Sequence, residues 1–546
     1  MCDTVKVRDF CHILDSKLML FCIIVYLTVL SLPLDAQIFD DVYILESQGV
    51  SISTSHALRD GDVTYLYGQF FGSLDIGDFE LEHVGSADLF LMRLVDGQPE
   101  WVFYGGSNGS DKAVDIELDD DGNIVIGGEF WLEAQFGDLT LVTEGSTKSL
   151  FVIKLDSDGN ILSHQSINGS GAKNMNGLAL IGDDVYVNGS FSDTLFLTAT
   201  SAVANADQDI YVLKLDKADD DGWIQHYGVD GKSISVDFSW DAVNDQFIVS
   251  GEYLGQLAVA MDTIDINTFD QDMFVAAFDI NGEGLWLQKA GGQFEDFNEA
   301  HCLDDEGNIY LTGFFRGIIG FSDGSQINTG GIGNVDGYII KYSPDGEKIW
   351  ARNLGDLSNT EAGTNISFEN GRLYWTAYHE GAFNIDGIDF FNNESSINGL
   401  VAVFNTDGIL EQGIPLPGNM TVIPMGIIPE EQNIFVFGDF QGKIELDQTY
   451  TSSAFSSFHV NIIDLISSSS DIISQNIKVY PNPVSHTLQI ELDQQADHLA
   501  IFNQQGISMY QSPEDRLSHS IDFSRFESGI YFWRTASGAR GKVIKK

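Results

Sequence analysis

Asp304-Asp305-Glu306-Gly307-Asn308-Ile309-Tyr310-Leu311-Thr312-Gly313-Phe314-Phe315 is the stretch whose reading decides the fold. An acidic turn bends at Gly307 and feeds an apolar run that ends on Gly313 and two aromatics. Asp, Asn and Gly suit the turn because they cap their own backbone or tolerate left-handed conformations, and Ile-Tyr-Leu suits a strand. The same ending recurs at Tyr65–Phe70 and Val125–Phe130, around Gly189, Gly251 and Gly438, and in degenerate form at Ala377. From Gly68 through Gly128 to Gly438 the spacings are 60, 61, 62, 62, 64 and 61 residues. A second signature follows each first one, typified by Asp209-Ile210-Tyr211-Val212-Leu213-Lys214-Leu215-Asp216. Its counterparts begin at Asp88, Ser149, Asp272, Asp336, Asn398 and Ser456. Two signatures found seven times in one order define an internal repeat.

Within a unit, Phe151–Asp156, Ser157–Asn160 and Ile161–Ser163 read as strand, turn and strand, and Ala113–Leu118 with Ile124–Phe130 reads as another hairpin. Four strands per repeat fit a propeller blade, and seven blades fit a ring. No helical period competes over any long window. The seventh unit has its second signature at Phe458–Asp464 and then runs into Ser467–Ser470 without a fourth strand, while Ile38–Ser47 reads as an orphan strand. The expectation is an all-β chain: a seven-bladed β-propeller over 37–466, closed by that N-terminal strand, which removes a free sheet edge. The units resemble the bacterial seven-bladed propeller repeats with a D-x-x-G-N-x-Y-x-x-G-x-F core, over roughly 430 residues. That resemblance implies a fold and no fixed activity.

The 546 residues carry 81 Asp+Glu against 27 Lys+Arg, a formal charge of −54, with 43% hydrophobic residues. So apolar a chain is no disordered acidic tail. Residues 37–470 hold 16 basic and 69 acidic residues, whereas 471–546 hold eight of each. The acidic segment repels phosphate backbones and anionic lipid surfaces, which argues against nucleic acid as a partner. Residues 1–36 read as a signal peptide: Lys17 precedes an apolar core from Leu18 to Leu32, and a cleavage point falls between Ala36 and Gln37. Cys2, Cys11 and Cys22 lie in that leader, which leaves Cys302 alone in the mature chain and allows no internal disulfide.

The acidic turns Asp119-Asp120-Asp121-Gly122-Asn123 and Asp219-Asp220-Asp221-Gly222 make Asp119, Asp121, Asp219 and Asp221 candidate calcium ligands. No glutamate stands at the twelfth position of a calcium loop, so capping of a hairpin turn competes with that reading. Trp101, Trp223, Trp286 and Trp350 recur at one place in four units, where packing between units is expected over stacking on sugars. Cys302 aligns with Leu178, Trp240, Ile366 and Ile427, an apolar register that suggests an inert thiol. His301 aligns with His56, both placed toward the ring centre. Ser343-Pro344-Asp345-Gly346 with Trp350 is similar to a sialidase Asp-box whose glycine comes one position early. Five arginines, Arg59, Arg93, Arg316, Arg352 and Arg372, serve the whole array. There is no H-E-x-x-H or P-loop, no catalytic residue is assigned, and no cofactor other than calcium is named.

After a serine-rich linker at 467–475 the charge balance changes. Tyr480-Pro481-Asn482-Pro483, Ile501-Phe502-Asn503 with Gly506, Ser528-Gly529-Ile530-Tyr531 and the basic end Lys542-Val543-Ile544-Lys545-Lys546 follow in order. Residues 476–546 closely resemble the C-terminal sorting domain of the type IX secretion system of Bacteroidetes, and their short alternating strands suit a small Ig-like β-sandwich. The resemblance implies Sec export, recognition by the outer-membrane translocon and removal by a sortase-like peptidase. That enzyme can attach cargo to surface lipopolysaccharide, so the mature protein is expected to be secreted or surface-attached. The expected cargo is a monomeric, non-catalytic binding or adhesion propeller that engages a glycan or protein ligand. The alternative is a secreted polysaccharide hydrolase or lyase on the same scaffold.

Overall fold

The structure is a computed structural model that describes residues 39–463 and 478–546, except 47–48, 145–147, 216, 218–221, 266–269, 330, 332, 356–359, 387, 391–395, 431–432, 481–482, 492–498, 503–507, 513–517, 527 and 536–539. Regular structure among these residues is strand throughout, apart from one 3-10 turn at Phe523–Arg525. No helix among them is long and apolar enough to cross a membrane.

Each repeat folds into four antiparallel strands joined in sequence order. Unit one is Ser51–Asp60, Val63–Phe71, Asp88–Val95 and Gln98–Ser107. Unit two starts at Lys112–Leu118, unit three at Lys173–Ile181, unit four at Asp230–Asp241, unit five at Asp296–Leu303 and unit six at Glu361–Glu369. Unit seven supplies Thr421–Pro429, Asn433–Glu445 and Thr449–Ile463. Its fourth strand is Phe39–Leu45, with Tyr43 opposite His459 and Ile44 opposite Phe458. The orphan strand expected at the N-terminus therefore pairs where the sequence pattern left a gap.

Packing explains the two signatures. A Cβ on Gly68, Gly189, Gly251 or Gly313 would stand 2.0–2.1 Å from a carbonyl oxygen of the first strand, so the first signature ends on glycine. Just past the residue facing that glycine, every first strand bulges, leaving Ser55, Val114, Asn176, Val236, Glu299, Thr364 and Met425 without a cross-strand partner. Such bulges increase local twist and re-aim side chains. The second signature is the third strand, apolar on both faces because sheets cover both sides of it. Its first residue is buried in all seven units, and Asp88, Asp209, Asp272 and Asn398 each accept from a nearby backbone N–H. Asp209, for example, accepts from the backbone N–H of Asn205 at 2.8 Å and of Ala206 at 3.0 Å.

The apolar core is divided into clusters that lie between successive units. Tyr67 and Leu91 of unit one meet Ile126 and Phe151 of unit two, and so on round to Phe435 and Phe437 of unit seven, which meet Leu66 and Phe90 of unit one. The first strand of each unit also lies against that of the next, and that of unit seven against that of unit one. Short hairpins that the sequence pattern did not reveal join second to third strands. Two of them, Glu133–Phe136 with Leu139–Val142 and Ile318–Phe321 with Gln326–Asn328, pair onto the outer strand of the preceding unit and cover its edge.

The terminal residues form two further sheets, one of Lys478–Tyr480, Thr487–Glu491 and Ser518–Asp522, the other of Ser508–Gln511, Leu499–Phe502, Gly529–Thr535 and Arg540–Lys545. Leu488, Ile490, Ile501, Tyr531 and Trp533 share one core between them. Phe502 and Phe532 belong to the other face of the second sheet and are buried with the cluster of units six and seven.

Candidate functional site

The acidic turns are built by their first side chain. Asp119 Oδ1 accepts from the N–H of Asp121 at 3.0 Å and of Asn123 at 2.8 Å, and the Asn123 amide and Lys154 ammonium take up the carboxylate further. Desolvation opposes this charge, but Lys154 and Asn123 outweigh it and hold the carboxyl at about 2. Asp156, Asp279, Asp304 and Asn405 repeat the arrangement. Asp121 is exposed and contributes its N–H to the turn. Asp219 and Asp221 lie outside the described residues. Among the described residues no three His, Cys, Asp or Glu side chains converge as a metal site would need.

The turns are also where the tryptophans pack. Indole Nε1 of Trp101, Trp286 and Trp350 donates to the carbonyl oxygens of Ser157, Pro344 and Thr406 in the following unit, at 3.1, 2.9 and 3.2 Å. The rings of Trp101, Trp223, Trp286 and Trp350 lie on Gly159, Gly282, Gly346 and Gly408, whose φ values are +82°, +76°, +80° and +75°. Glycine is required twice over there, for its left-handed backbone and because a Cβ would meet the ring at 2.5–3.3 Å. The tryptophans thus fasten one unit to the next.

Toward the first strands the chemistry changes. Asp115 and Asp237 each follow a bulge, and each carboxylate reaches the next unit: Asp115 accepts from the N–H of Leu178 at 2.8 Å and Asp237 from that of His301 at 2.7 Å. Burial, then the adjacent Glu117 carboxylate, pushes Asp115 well above the usual range, and burial lifts Glu117 to about 7. Glu252 is raised to about 7 by burial and by Glu299, which burial raises to about 7 in turn. Burial and Lys112 depress His56 to about 4, against the pull of Asp237. These acids were not singled out by the sequence. Their one visible mark is a carboxylate within a strand of otherwise apolar alternation.

Two register assignments are corrected. His56 stands opposite Tyr67, one residue before Gly68, whereas His301 stands opposite Leu311, two before Gly313. His56 therefore corresponds to Ala300, and the two histidines do not align. Cys302 corresponds to Glu117 and Ser239 rather than to Leu178 or Ile366. The cause is turn length: residues 61–62 join the hairpin in unit one and 304–308 in unit five. His301 is held between Ser239 Oγ at 2.7 Å and Ser250 Oγ at 2.8 Å, and burial lowers its pKa. Burial pushes the Cys302 thiol well up, so it is a poor nucleophile. Arg59, Arg93, Arg352 and Arg372 pair with Glu430, Glu100, Asp386 and Glu411. No arginine cluster for a substrate carboxylate forms from these four.

In the terminal domain Tyr480 and Pro483 are exposed and Pro481 and Asn482 lie outside the described residues. Tyr531 is buried in the core. Gly529 pairs with Lys545 and Phe532 with Lys542. The last strand holds the opening motif in place: the Val484 N–H donates to Ile544 O at 2.7 Å, the Lys546 N–H to Val484 O at 3.0 Å and Lys545 Nζ to Ser485 O at 2.6 Å.

Residues 478–546 match the family described as the secretion system C-terminal sorting domain. This domain marks the chain for type IX secretion, to the cell surface or the extracellular space. Over 123 residues the chain is 31% identical to an uncharacterized WD repeat-containing protein, L264, of Acanthamoeba polyphaga mimivirus, covering 18% of this chain and 9% of that protein. Similar solved structures include a phage phi92 endosialidase at 9% identity, covering 78% of this chain and 69% of that one with a TM-score of 0.33. Another is PorZ, a surface component of the type IX secretion system of Porphyromonas gingivalis, at 10% identity, covering 93% and 100% with a TM-score of 0.17.

Proposed function

We propose that the seven units close into a seven-bladed β-propeller, residues 37–466, and that this ring is a monomeric binding or adhesion protein exported by the terminal sandwich, residues 476–546. In this reading residues 1–36 direct Sec export and are cleaved between Ala36 and Gln37. The translocon then recognises the terminal domain, and a sortase-like peptidase removes it. Ring closure is supported by the cyclic contacts of the first strands and by His56 of unit one and Asp115 of unit two, which both sense the charge of Asp237 in unit four.

One observation carries the preference for binding over catalysis. The central carboxylates of Asp115 and Asp237 are committed to backbone N–H groups of the neighbouring unit, which makes them ties between blades. The hydrolase or lyase reading draws on Glu117, Glu252 and Glu299, each raised to about 7 and so able to hold a proton near neutral pH. A glycan-array screen of the purified mature chain, with mass spectrometry of the recovered glycans, separates the two. Capture of intact glycan supports the binding reading, and shortened or unsaturated products overturn it.

A further inference from the structure

Unit seven differs from the others in how its outer strands are joined. Elsewhere the third strand runs on through a turn into the fourth. In units two, four, five and six a tryptophan of the preceding unit lies on that turn, at Gly159, Gly282, Gly346 and Gly408. Unit seven takes its fourth strand from the other end of the chain, with Phe39 opposite Ile462, so no turn links it to the third. Unit six has no ring to set on one. Gln412 stands there opposite Val403, in the register that Trp350 holds opposite Lys341.

This junction is nevertheless sealed. Unit two also lacks the ring, and its Leu162, Ser163 and His164 stand exposed, whereas Gln412 and Ile414 of unit six are fully buried. The apolar cluster between units six and seven, which includes Ile414, Leu416, Phe458 and Val460, takes in Ala500, Phe502 and Phe532 of the terminal domain. These three share one sheet face, because Ala500 and Phe502 are two apart on one strand and Phe532 pairs with Phe502. Leu499, Ile501, Tyr531 and Trp533 alternate with them and build the sandwich's own core. Among the described residues the terminal domain has two sheets and no third layer, yet Phe502 and Phe532 are 2% and 1% exposed. The array covers them. Phe39, Val42 and Ile44 of the closing strand pack against the same cluster.

We infer that the face formed by Ala500, Phe502 and Phe532 is a docking surface for the chain's own array, and that the docked domain clamps the closing strand Phe39–Leu45 until it is removed. That strand alone among the fourth strands has no turn to hold it to its neighbour, so it is the one whose pairing opens most readily. An apolar cover on the same cluster opposes that opening, and the chain between Ile463 and Lys478 makes the docking intramolecular. Tyr480 and Ile544 remain 44% and 41% exposed, so docking leaves the opening motif and the last strand accessible. Removal of the domain then uncovers the junction and loosens the strand. This inference goes beyond the binding reading, since it concerns the chain before the terminal domain is removed and holds for a catalytic cargo as well.

The test compares the chain from Gln37 to Lys546 with two variants, Phe502→Ser/Phe532→Ser and Ala500→Arg. Both alter the docking face and spare the sandwich core, and the second keeps the answer if the first does not fold its terminal domain. Small-angle X-ray scattering should show a compact wild-type particle and a larger maximum dimension in the variants. Hydrogen-exchange mass spectrometry should show the amides of residues 39–45 exchanging at least about tenfold faster in the variants, with those of 51–60 unchanged. A wild-type particle as extended as the variants would overturn the docking. Unchanged exchange over residues 39–45 in both variants would overturn the clamp.

Discussion

Residues 39–463 and 478–546 are both built from short antiparallel strands, but they finish their sheets differently. The array brings its first strand to its last unit, Tyr43 opposite His459, so strands more than 400 residues apart complete one sheet. The terminal domain is completed by its own last residues, with Lys546 bonded to Val484. Among the described residues no strand of one region pairs with a strand of the other. Charge follows the same line, −53 on residues 37–470 and zero on 471–546. The lesson is that neither region needs a strand of the other to complete its sheets, although Phe502 and Phe532 bury a shared patch against units six and seven.

The comparison is most exposed at the N-terminal strand. Deleting residues 37–48 strips the outer edge of unit seven, where Phe458, Val460 and Ile462 are buried, and should abolish cooperative unfolding followed by circular dichroism. A truncated protein that melts like the full one would break the claim that the array is closed by its own first strand.

A smaller effect is expected at the joints between units. Trp286→Ala removes a ring lying on Gly346 and its bond to Pro344, and should lower stability by about 2–4 kcal/mol in urea titrations. No matching loss should follow from Ser163→Ala, because that junction has no ring to lose.

The smallest effect is a pH dependence confined to the array. Burial raises Asp296 to about 8 and Asp439 to about 7, and Glu117, Glu252 and Glu299 also stand at about 7. In the unfolded chain these acids have already released the protons that the folded chain retains, so stability should fall as pH rises from 6.5 to 8.5. Each group contributes at most about 1.4 kcal/mol per pH unit. Buried His56, at about 4, and His459, at about 3, act below this window, where acid favours the unfolded chain. Asp296→Asn should flatten the slope by the share of one group, and an unchanged slope would reject the assignment.

Much of this comparison is legible in the sequence, for identifiable reasons. Seven units show themselves because glycine is forced at Gly68, Gly189, Gly251 and Gly313 by a close approach of backbone, and close approaches repeat with the fold. The missing fourth strand after Asp464 and the unpaired apolar run before unit one point to each other. The inserted hairpins stay hidden because strands such as Leu74–Ile76 are too short for alternation to register. Register inside the units is lost wherever turn length varies, as between His56 and His301. The raised acids are illegible because burial, which lifts Glu117, Glu252 and Glu299 and with the Glu117 carboxylate lifts Asp115, exists only once the units have packed.

The division into cargo and address is tested most directly by removing residues 476–546 in the native bacterium and locating the remainder by cell fractionation and immunoblot. The account predicts that the truncated chain accumulates in the periplasm while the intact chain reaches the surface or the medium. Undiminished release of the truncated chain would contradict it.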